Sequence, residues 1–224
     1  MFIGHFAVGF ALKRATPRTN LGWLMAAPIL LDMLWPIFVL AGIERVEIEP
    51  GNTAFTPLNF VSYPYSHSLA GAAVWSMLFA VIYYLFSGSR SRRGVIAVMI
   101  GVISHWVLDV VTHRADMPIY PGGTQLVGLG LWNSVAATVL IESIMFAGGV
   151  WIYARMTRAK DKIGSVAFWA FVVFLVVAYL VSSFGPPPPS VTAVAVTALL
   201  VWVLPFWAKW FDRHRIVDEP RVLG

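Results

Sequence analysis

The third apolar run of the chain reads GVIAVMIGVISHWVLDVVTHRAD over residues 94–116 and ends in a group of ionisable side chains. On a helix, His105, Asp109 and His113 are spaced by four residues, so successive side chains are rotated by only about 40° and form one stripe. Ionisable groups are costly inside a membrane, where they usually face a partner, an ion or a water-filled cavity. Imidazole and carboxylate are also ligands of zinc, manganese and iron. The run therefore predicts a metal site inside a membrane protein.

The composition of the whole chain also indicates a membrane protein. Hydrophobic residues make up 58% of the 224 residues and charged residues only 12%, whereas a soluble domain carries about 25% charge. The chain has no cysteine, which excludes a disulfide framework and a thiolate metal site. Any metal must therefore be held by histidine and carboxylate oxygen.

Six apolar runs are each close to the ~20 residues that a helix needs to cross a bilayer. They occupy residues 21–43, 68–87, 94–113, 128–154, 165–184 and 190–211. These runs predict an all-α, polytopic membrane protein with about six transmembrane helices. A shorter apolar segment, residues 1–12, lacks the basic start and the cleavage site of a signal peptide. We expect it to form a re-entrant or half-membrane helix, with a plain interfacial helix as the alternative.

The loops between these runs differ in charge. Fourteen of the sixteen basic residues fall on one side of the six-span arrangement, and only Arg45 and Arg114 fall on the other. The positive-inside rule makes the basic side cytoplasmic, so the net charge of +5 reflects membrane topology and predicts no nucleic-acid partner.

The same topology predicts how the chain is organised. We expect a single helical membrane domain over residues 1–211, with the site in residues 1–150 and scaffold helices in residues 163–211. A polar tail, residues 212–224, follows on the cytoplasmic side.

Eight polar side chains lie in or beside the predicted spans, away from the basic tail. They are His5, Asp32, His67, His105, Asp109, His113, Asp116 and Glu142. At 1.5 Å per residue, the direction of each span places these groups in the middle-to-outer part of the membrane. Several have a structural reading when taken singly: Glu142 could bond a neighbouring helix, and His67 could lie in a helix cap. Unpaired charges in hydrocarbon would cost several kcal/mol each, whereas a shared metal ion would make all eight mutually supporting.

The number of candidate ligands bears on the number of ions. The predicted metal ligands are His5, Asp32, His67, His105, Asp109 and His113. Asp116 and Glu142 are the predicted catalytic carboxylates, each acting as a ligand, an orienting group or a general base. One tetrahedral zinc takes three or four protein ligands, so the set allows one ion with carboxylates that orient imidazoles. It also allows two ions, as in many phosphoesterases. Zn²⁺ is the expected metal, and Mn²⁺ and Fe²⁺ are alternatives.

Several motifs together resemble the YdjM-type family. They are Gly4-His5 with Gly9, Asp32 followed by Pro36, Pro64-Tyr-Ser-His-Ser68, and the pattern SHxxxDxxxHxxDxP over residues 104–118. The resemblance covers roughly residues 1–150. Members of this family are described as inner-membrane-associated, metal-dependent hydrolases. The resemblance therefore implies a multi-pass hydrolase of the prokaryotic cytoplasmic (inner) membrane.

Two details qualify the motifs. Many members of the family carry an acidic residue two positions before the one that matches Asp32, where this chain has Leu30. The element from His105 to Asp109 is also similar to one in zinc phospholipase C-like enzymes over its short length.

Two classes of function are compatible with these residues. The first is a metal-dependent hydrolase, in which activated water attacks an ester or phosphoester bond, most naturally in a lipid or lipid-linked substrate that enters from the membrane. The second is a transporter that moves metal ions or protons through the same cluster. A transporter needs a polar route to both faces, whereas residues 95–102 are apolar, and this favours the hydrolase. A regulatory protein that uses its basic tail to bind a partner is a third alternative.

Overall fold

Ten α-helices, two 3-10 turns and three two-stranded antiparallel sheets make up the regular structure of residues 1–218, which the computed structural model describes. The helices are α1 (Ile3–Ala15), α2 (Leu21–Ala26), α3 (Leu30–Leu40), α4 (Pro64–His67), α5 (Leu69–Phe86), α6 (Arg92–Thr112), α7 (Val135–Met156), α8 (Lys162–Phe184), α9 (Val191–Ala198) and α10 (Val203–Arg213). The 3-10 turns are Leu131–Asn133 and Leu199–Trp202. The strands are β1 (Arg45–Ile48), β2 (Leu58–Ser62), β3 (Met117–Pro118), β4 (Leu126–Val127), β5 (Thr157–Ala159) and β6 (Arg215–Val217).

Within the described residues, five helices are long and apolar enough to cross a membrane. They are α5, α6, α7, α8 and the continuous segment Val191–Arg213, which contains α9 and α10. Each begins at a residue whose side-chain oxygen accepts a hydrogen bond from a backbone N–H three residues on, namely Ser68, Ser91, Ser134, Asp161 and Ser190. Such residues are the preferred helix N-caps. The prediction of an all-α polytopic membrane protein is confirmed.

The first predicted span differs from the structure. Residues 21–43 form two short helices, α2 and α3, because the chain breaks around Pro28. Proline lacks a backbone donor and clashes with the preceding turn. The 11 residues of α3 extend about 16 Å, roughly half of the ~30 Å hydrocarbon layer. The described part of the chain therefore has five continuous spans and one broken one.

The N-terminal helix α1 lies inside the bundle rather than along its surface. Phe6 and Phe10 are fully buried. Its backbone runs so close to α7 that a Cβ at Gly149 would lie 2.5 Å from the carbonyl oxygen of Ala7. This close approach brings His5, on the same helix, to the centre of the molecule.

Basic residues gather at one end of the bundle, hereafter the basic end. At this end Lys13 forms a buried ion pair of 2.8 Å with Asp212. β5 and β6 also pair there as an antiparallel two-stranded sheet. Residues 215–217 of the predicted polar tail are therefore paired with the loop that precedes α8. Residues 219–224, including Arg221, lie outside the described residues.

Two hairpins lie near the candidate site. β1 pairs with β2, and β3 pairs with β4, both antiparallel. Trp35, Val46, Tyr63 and Met117 form a small apolar core there. The polar residues of the third apolar run lie between this core and α1.

Candidate metal centre

Two of the three residues in the predicted stripe, His105 and Asp109, lie on α6 and face the same site. His105 and Asp109 are both buried, and His105 Nε2 lies 3.0 Å from Asp109 Oδ2. The helix ends at Thr112, and His113 is its C-cap with an extended ψ of 151°. Because His113 leaves the helical geometry, its side chain does not continue the stripe.

Three other elements bring polar groups to His105 and Asp109. His67, at the end of α4, has its Nε2 3.2 Å from His105 Nε2. Asp32 Oδ1 lies 3.5 Å from His67 Nε2 and 3.7 Å from His105 Nε2. His5 Nε2 lies 3.1 Å from Asp109 Oδ1, and its ring stacks on that of His105 at 3.8 Å. We call these five residues the His/Asp cluster.

The break that shortens α3 also serves the cluster. It leaves the carbonyl oxygen of Pro28 facing His105 Nδ1 at 2.7 Å. A carbonyl oxygen only accepts hydrogen bonds, so His105 Nδ1 carries the proton and Nε2 keeps its lone pair when the ring is neutral.

A second hydrogen-bond chain fixes His67 in the same way. The Ser66 hydroxyl donates to Glu44 Oε2 at 2.6 Å, and its oxygen lies 2.6 Å from His67 Nδ1. Because the hydroxyl proton is used for Glu44, the Ser66 oxygen accepts from His67 Nδ1. The neutral His67 ring therefore also has its lone pair on Nε2. Two lone pairs face each other across 3.2 Å, beside two carboxylates, and this arrangement favours a cation among them.

The spacing of the cluster atoms fits a divalent ion. Ligand atoms about 2.0–2.1 Å from a tetrahedral zinc lie about 3.3 Å apart. The Nε2 atoms of His67 and His105 lie 3.0–3.8 Å from one another and from the nearest carboxylate oxygens of Asp32 and Asp109. Asp32, His67 and His105 form one group that could hold an ion, and Asp109 Oδ2 lies next to both imidazoles.

The possible ligand groups within the described residues are His5, His105 and Asp109, and Asp32, His67 and His105. Each group includes His105, whose Nδ1 is already bonded to the Pro28 carbonyl. The remaining nitrogen, Nε2, can bind only one ion, so the two groups cannot hold separate ions through His105. Asp109 Oδ1 faces His5 Nε2, while its Oδ2 faces His105 Nε2. The geometry favours one ion over two.

His113 and Asp116 form a separate group with Tyr63. His113 Nδ1 lies 3.0 Å from Asp116 Oδ1, and the Tyr63 hydroxyl donates to the same oxygen at 2.8 Å. Burial, reinforced by the Asp116 carboxylate, raises the pKa of Tyr63 well above its usual range, so this hydroxyl remains a donor. The His113 ring packs 4.2 Å from that of Trp132. The structure thus places His113 beside the cluster rather than in it.

Glu142 binds the start of α1. Its Oε2 accepts from the backbone N–H groups of Phe2 at 2.8 Å and Gly4 at 3.2 Å, which are donors that a helix start leaves unpaired. Its Oε1 is buried without a hydrogen-bond partner in the described part of the chain. Because α1 carries His5, these bonds would let Glu142 orient a residue of the cluster, and its role as a general base stays a prediction.

Removing the Glu142 carboxylate should therefore loosen α1. For Glu142→Ala we expect a loss of about 1–3 kcal/mol in the free energy of unfolding, because two buried N–H groups lose their acceptor. Glu142→Gln keeps an accepting oxygen and should lose less. Thermal unfolding in detergent measures both, and equal losses for the two variants would argue against this role.

Glu44 is the residue that the sequence did not single out. It is buried, and its Oε1 accepts from the backbone N–H groups of Tyr65 and Ser66. In the sequence it starts the run ERVEIE over residues 44–49, whose alternating charges are typical of a solvated strand. Nothing in that run distinguishes Glu44 from Glu47 and Glu49.

The comparison with protein families agrees with the motifs. The model of the YdjM inner membrane protein family matches residues 1–186. The chain belongs to this family. The match runs from α1 to the end of α8 and includes every residue of the His/Asp cluster. No curated protein and no solved structure shows significant similarity to the chain. The family and the five long apolar helices together identify a membrane-embedded protein.

Proposed function

We propose that this YdjM family member is a metal-dependent hydrolase that cleaves an ester or phosphoester bond in a lipid or lipid-linked substrate. The observation that carries the proposal is the close approach of two imidazole nitrogens beside two carboxylates, with His67 Nε2 and His105 Nε2 3.2 Å apart. Zn²⁺ is the expected ion. When bound, such an ion supplies Lewis acidity that activates water and polarises the scissile bond.

Asp32 is the residue that we expect to handle the proton. Its side chain is 37% exposed, whereas those of His67 and Asp109 are 5% and 3% exposed. This difference supports access of substrate and water to the cluster on the Asp32 side. A carboxylate at this opening can accept a proton from the attacking water and return it to the leaving group. Asp116, which the sequence suggested for a catalytic role, accepts from the Tyr63 hydroxyl and lies 3.0 Å from His113 Nδ1, and its catalytic role stays a prediction.

A cavity with a mixed polar and apolar lining and an apolar groove both border α4, and together they support an amphiphilic substrate. The cavity has a volume of about 650 Å³ and is lined by polar groups that include Asn59, Arg114 and Asp116. The groove has a volume of about 530 Å³ and is lined by apolar groups that include Phe38, Val74 and Trp75. α4 contributes Pro64 to the cavity and Tyr65 to the groove, and it ends at His67. A headgroup in the cavity and an acyl chain in the groove would both contact α4, the helix that ends at His67.

The charge pattern supports an orientation for the site. With the basic end in the cytoplasm, as the positive-inside rule requires, the cluster and the two neighbouring hairpins lie in the middle-to-outer part of the membrane. The substrate would then enter sideways from the lipid or from the outer surface.

The packing of α6 supports a hydrolase over a transporter. One turn before His105, a Cβ at Gly101 would lie 2.8 Å from Ala27 Cβ and 3.2 Å from Leu12 Cδ1. Val98 and Val102 are fully buried. The segment between the cluster and the basic end is therefore tightly packed and apolar, which suits a site that opens to one side.

The test combines metal analysis with an activity assay on purified protein. We expect about one zinc per chain and release of water-soluble product from phospholipid vesicles. Asp32→Asn keeps an oxygen at the opening but loses the proton acceptor, so turnover should fall about 10²–10⁴-fold with much of the metal retained. Full turnover in Asp32→Asn would exclude this role. A metal-loaded protein that moves metal into liposomes and hydrolyses no lipid would favour the transporter.

A further inference from the structure

The Glu44 carboxylate is buried with three donors and contacts no member of the cluster directly. Its Oε1 accepts from Tyr65 N at 2.9 Å and from Ser66 N at 2.8 Å, while Oε2 accepts the Ser66 hydroxyl proton at 2.6 Å. The two backbone bonds hold the carboxylate in place. The third bond decides the direction in which the Ser66 hydroxyl points.

That direction is transmitted to the cluster. Ser66 Oγ and His67 Nδ1 are 2.6 Å apart, and one proton lies between them. As long as Ser66 donates to Glu44, the proton belongs to His67 Nδ1, and His67 Nε2 keeps the lone pair that an ion needs. If Ser66 instead donated to His67 Nδ1, the proton of the neutral ring would sit on Nε2 and block coordination.

We propose that Glu44 is a positioning residue that selects the metal-binding tautomer of His67 through the Ser66 hydroxyl. This inference rests on the proposed metal site. It gives Glu44 a role that the sequence does not indicate, because Glu44 lies in the same run as Glu47 and Glu49. It also accounts for Ser66, whose hydroxyl serves as a relay and not as a nucleophile, because its proton is already donated to a carboxylate.

Glu44→Gln tests the relay because it reverses one bond with almost no change in shape. The glutamine side chain of this variant keeps an oxygen for the two backbone donors, but its amide N–H faces Ser66 Oγ. Ser66 then accepts from the amide and donates to His67 Nδ1, which moves the ring proton to Nε2. In the metal-free protein this Nε2–H points at the lone pair of His105 Nε2, 3.2 Å away, and forms a hydrogen bond.

We therefore expect opposite effects on binding and on stability. Zn²⁺ affinity, measured by calorimetric titration of the purified full chain, should fall about 10–100-fold in Glu44→Gln. The metal-free variant should unfold at a temperature no lower than metal-free wild type. Nitrogen NMR of ¹⁵N-histidine protein should show one imidazole changing from the Nδ1–H to the Nε2–H tautomer.

Two further variants make the result specific. Ser66→Ala breaks the relay, so adding Glu44→Gln to it should cause no further loss of affinity. Glu47→Gln alters a neighbouring glutamate that pairs with Arg45 at the surface, and it should bind Zn²⁺ as wild type does. Unchanged tautomer and affinity in Glu44→Gln would overturn the relay. If wild type bound no Zn²⁺, the metal site would fail, whereas the tautomer measurement would still decide the relay.

Discussion

His105→Ala is expected to lower the affinity for Zn²⁺ more than 100-fold and to abolish hydrolysis. His105 Nε2 is the one atom that both possible ligand groups of the described residues share, so no regrouping of the remaining residues replaces it. Structural zinc sites with four ligands bind with about 10–16 kcal/mol, and a quarter of that is about 2.5–4 kcal/mol, or roughly 10²–10³-fold in affinity. Calorimetric titration and metal analysis of the purified protein measure the loss.

The matched control for this prediction is His113→Ala. Both histidines come from the same third apolar run, and the sequence places them on one stripe. In the structure His113 is bonded to Asp116 and packed against Trp132, so His113→Ala should retain nearly all of the metal. An equal loss of metal in both variants would contradict the five-residue cluster and would favour the predicted stripe, in which His113 is a ligand together with His105 and Asp109.

Asp212→Ala is expected to destabilise the protein by about 3–5 kcal/mol, the usual result of removing one partner of a buried ion pair. Asp212 accepts from Lys13 Nζ at 2.8 Å, from Leu21 N at 2.9 Å and from the Tyr153 hydroxyl at 2.8 Å. One carboxylate thus ties α1, α2 and α7 to α10 at the basic end. On the scale of soluble proteins of this size, the unfolding temperature would fall by roughly 6–20 °C.

Asp218→Ala provides the comparison. Asp218 also pairs with a basic residue at this end, but its side chain is 52% exposed and that of Arg158 is 69% exposed. Exposed ion pairs contribute about 0–1 kcal/mol, so this variant should unfold close to wild type. Thermal unfolding in detergent measures both variants. A similar small effect for Asp212→Ala would mean that Lys13 finds another acceptor.

Much of the fold was accessible from the sequence because hydropathy and charge act locally and add up along a segment. The runs that became α5, α6, α7 and α8 were long, apolar and bounded by helix-capping residues. The first run was equally apolar over residues 21–43, yet Pro28 divides it into α2 and α3. Proline can either kink a helix or end it, and the packing of its neighbours determines which occurs.

The candidate site shows the same division. Residue type and membrane depth predicted six ligands, and the structure brings five of them together; metal binding itself stays a prediction. His113 lies outside the cluster because α6 ends one residue earlier. The exact end of a helix is poorly determined by residue spacing alone. Glu142 looked like a membrane-embedded acid, but its partners are the backbone N–H groups of Phe2 and Gly4, some 140 residues away in the chain.

The sequence by itself determined that this chain is a helical membrane protein of the YdjM type, and it predicted histidines and carboxylates at one depth. Only the tertiary structure decided which nitrogen of His67 and of His105 is free, through the Pro28 carbonyl and the Glu44–Ser66 relay. The physical reason is that burial in a membrane is a sum over neighbouring residues, whereas a tautomer depends on single hydrogen bonds. Their partners come from distant parts of the chain.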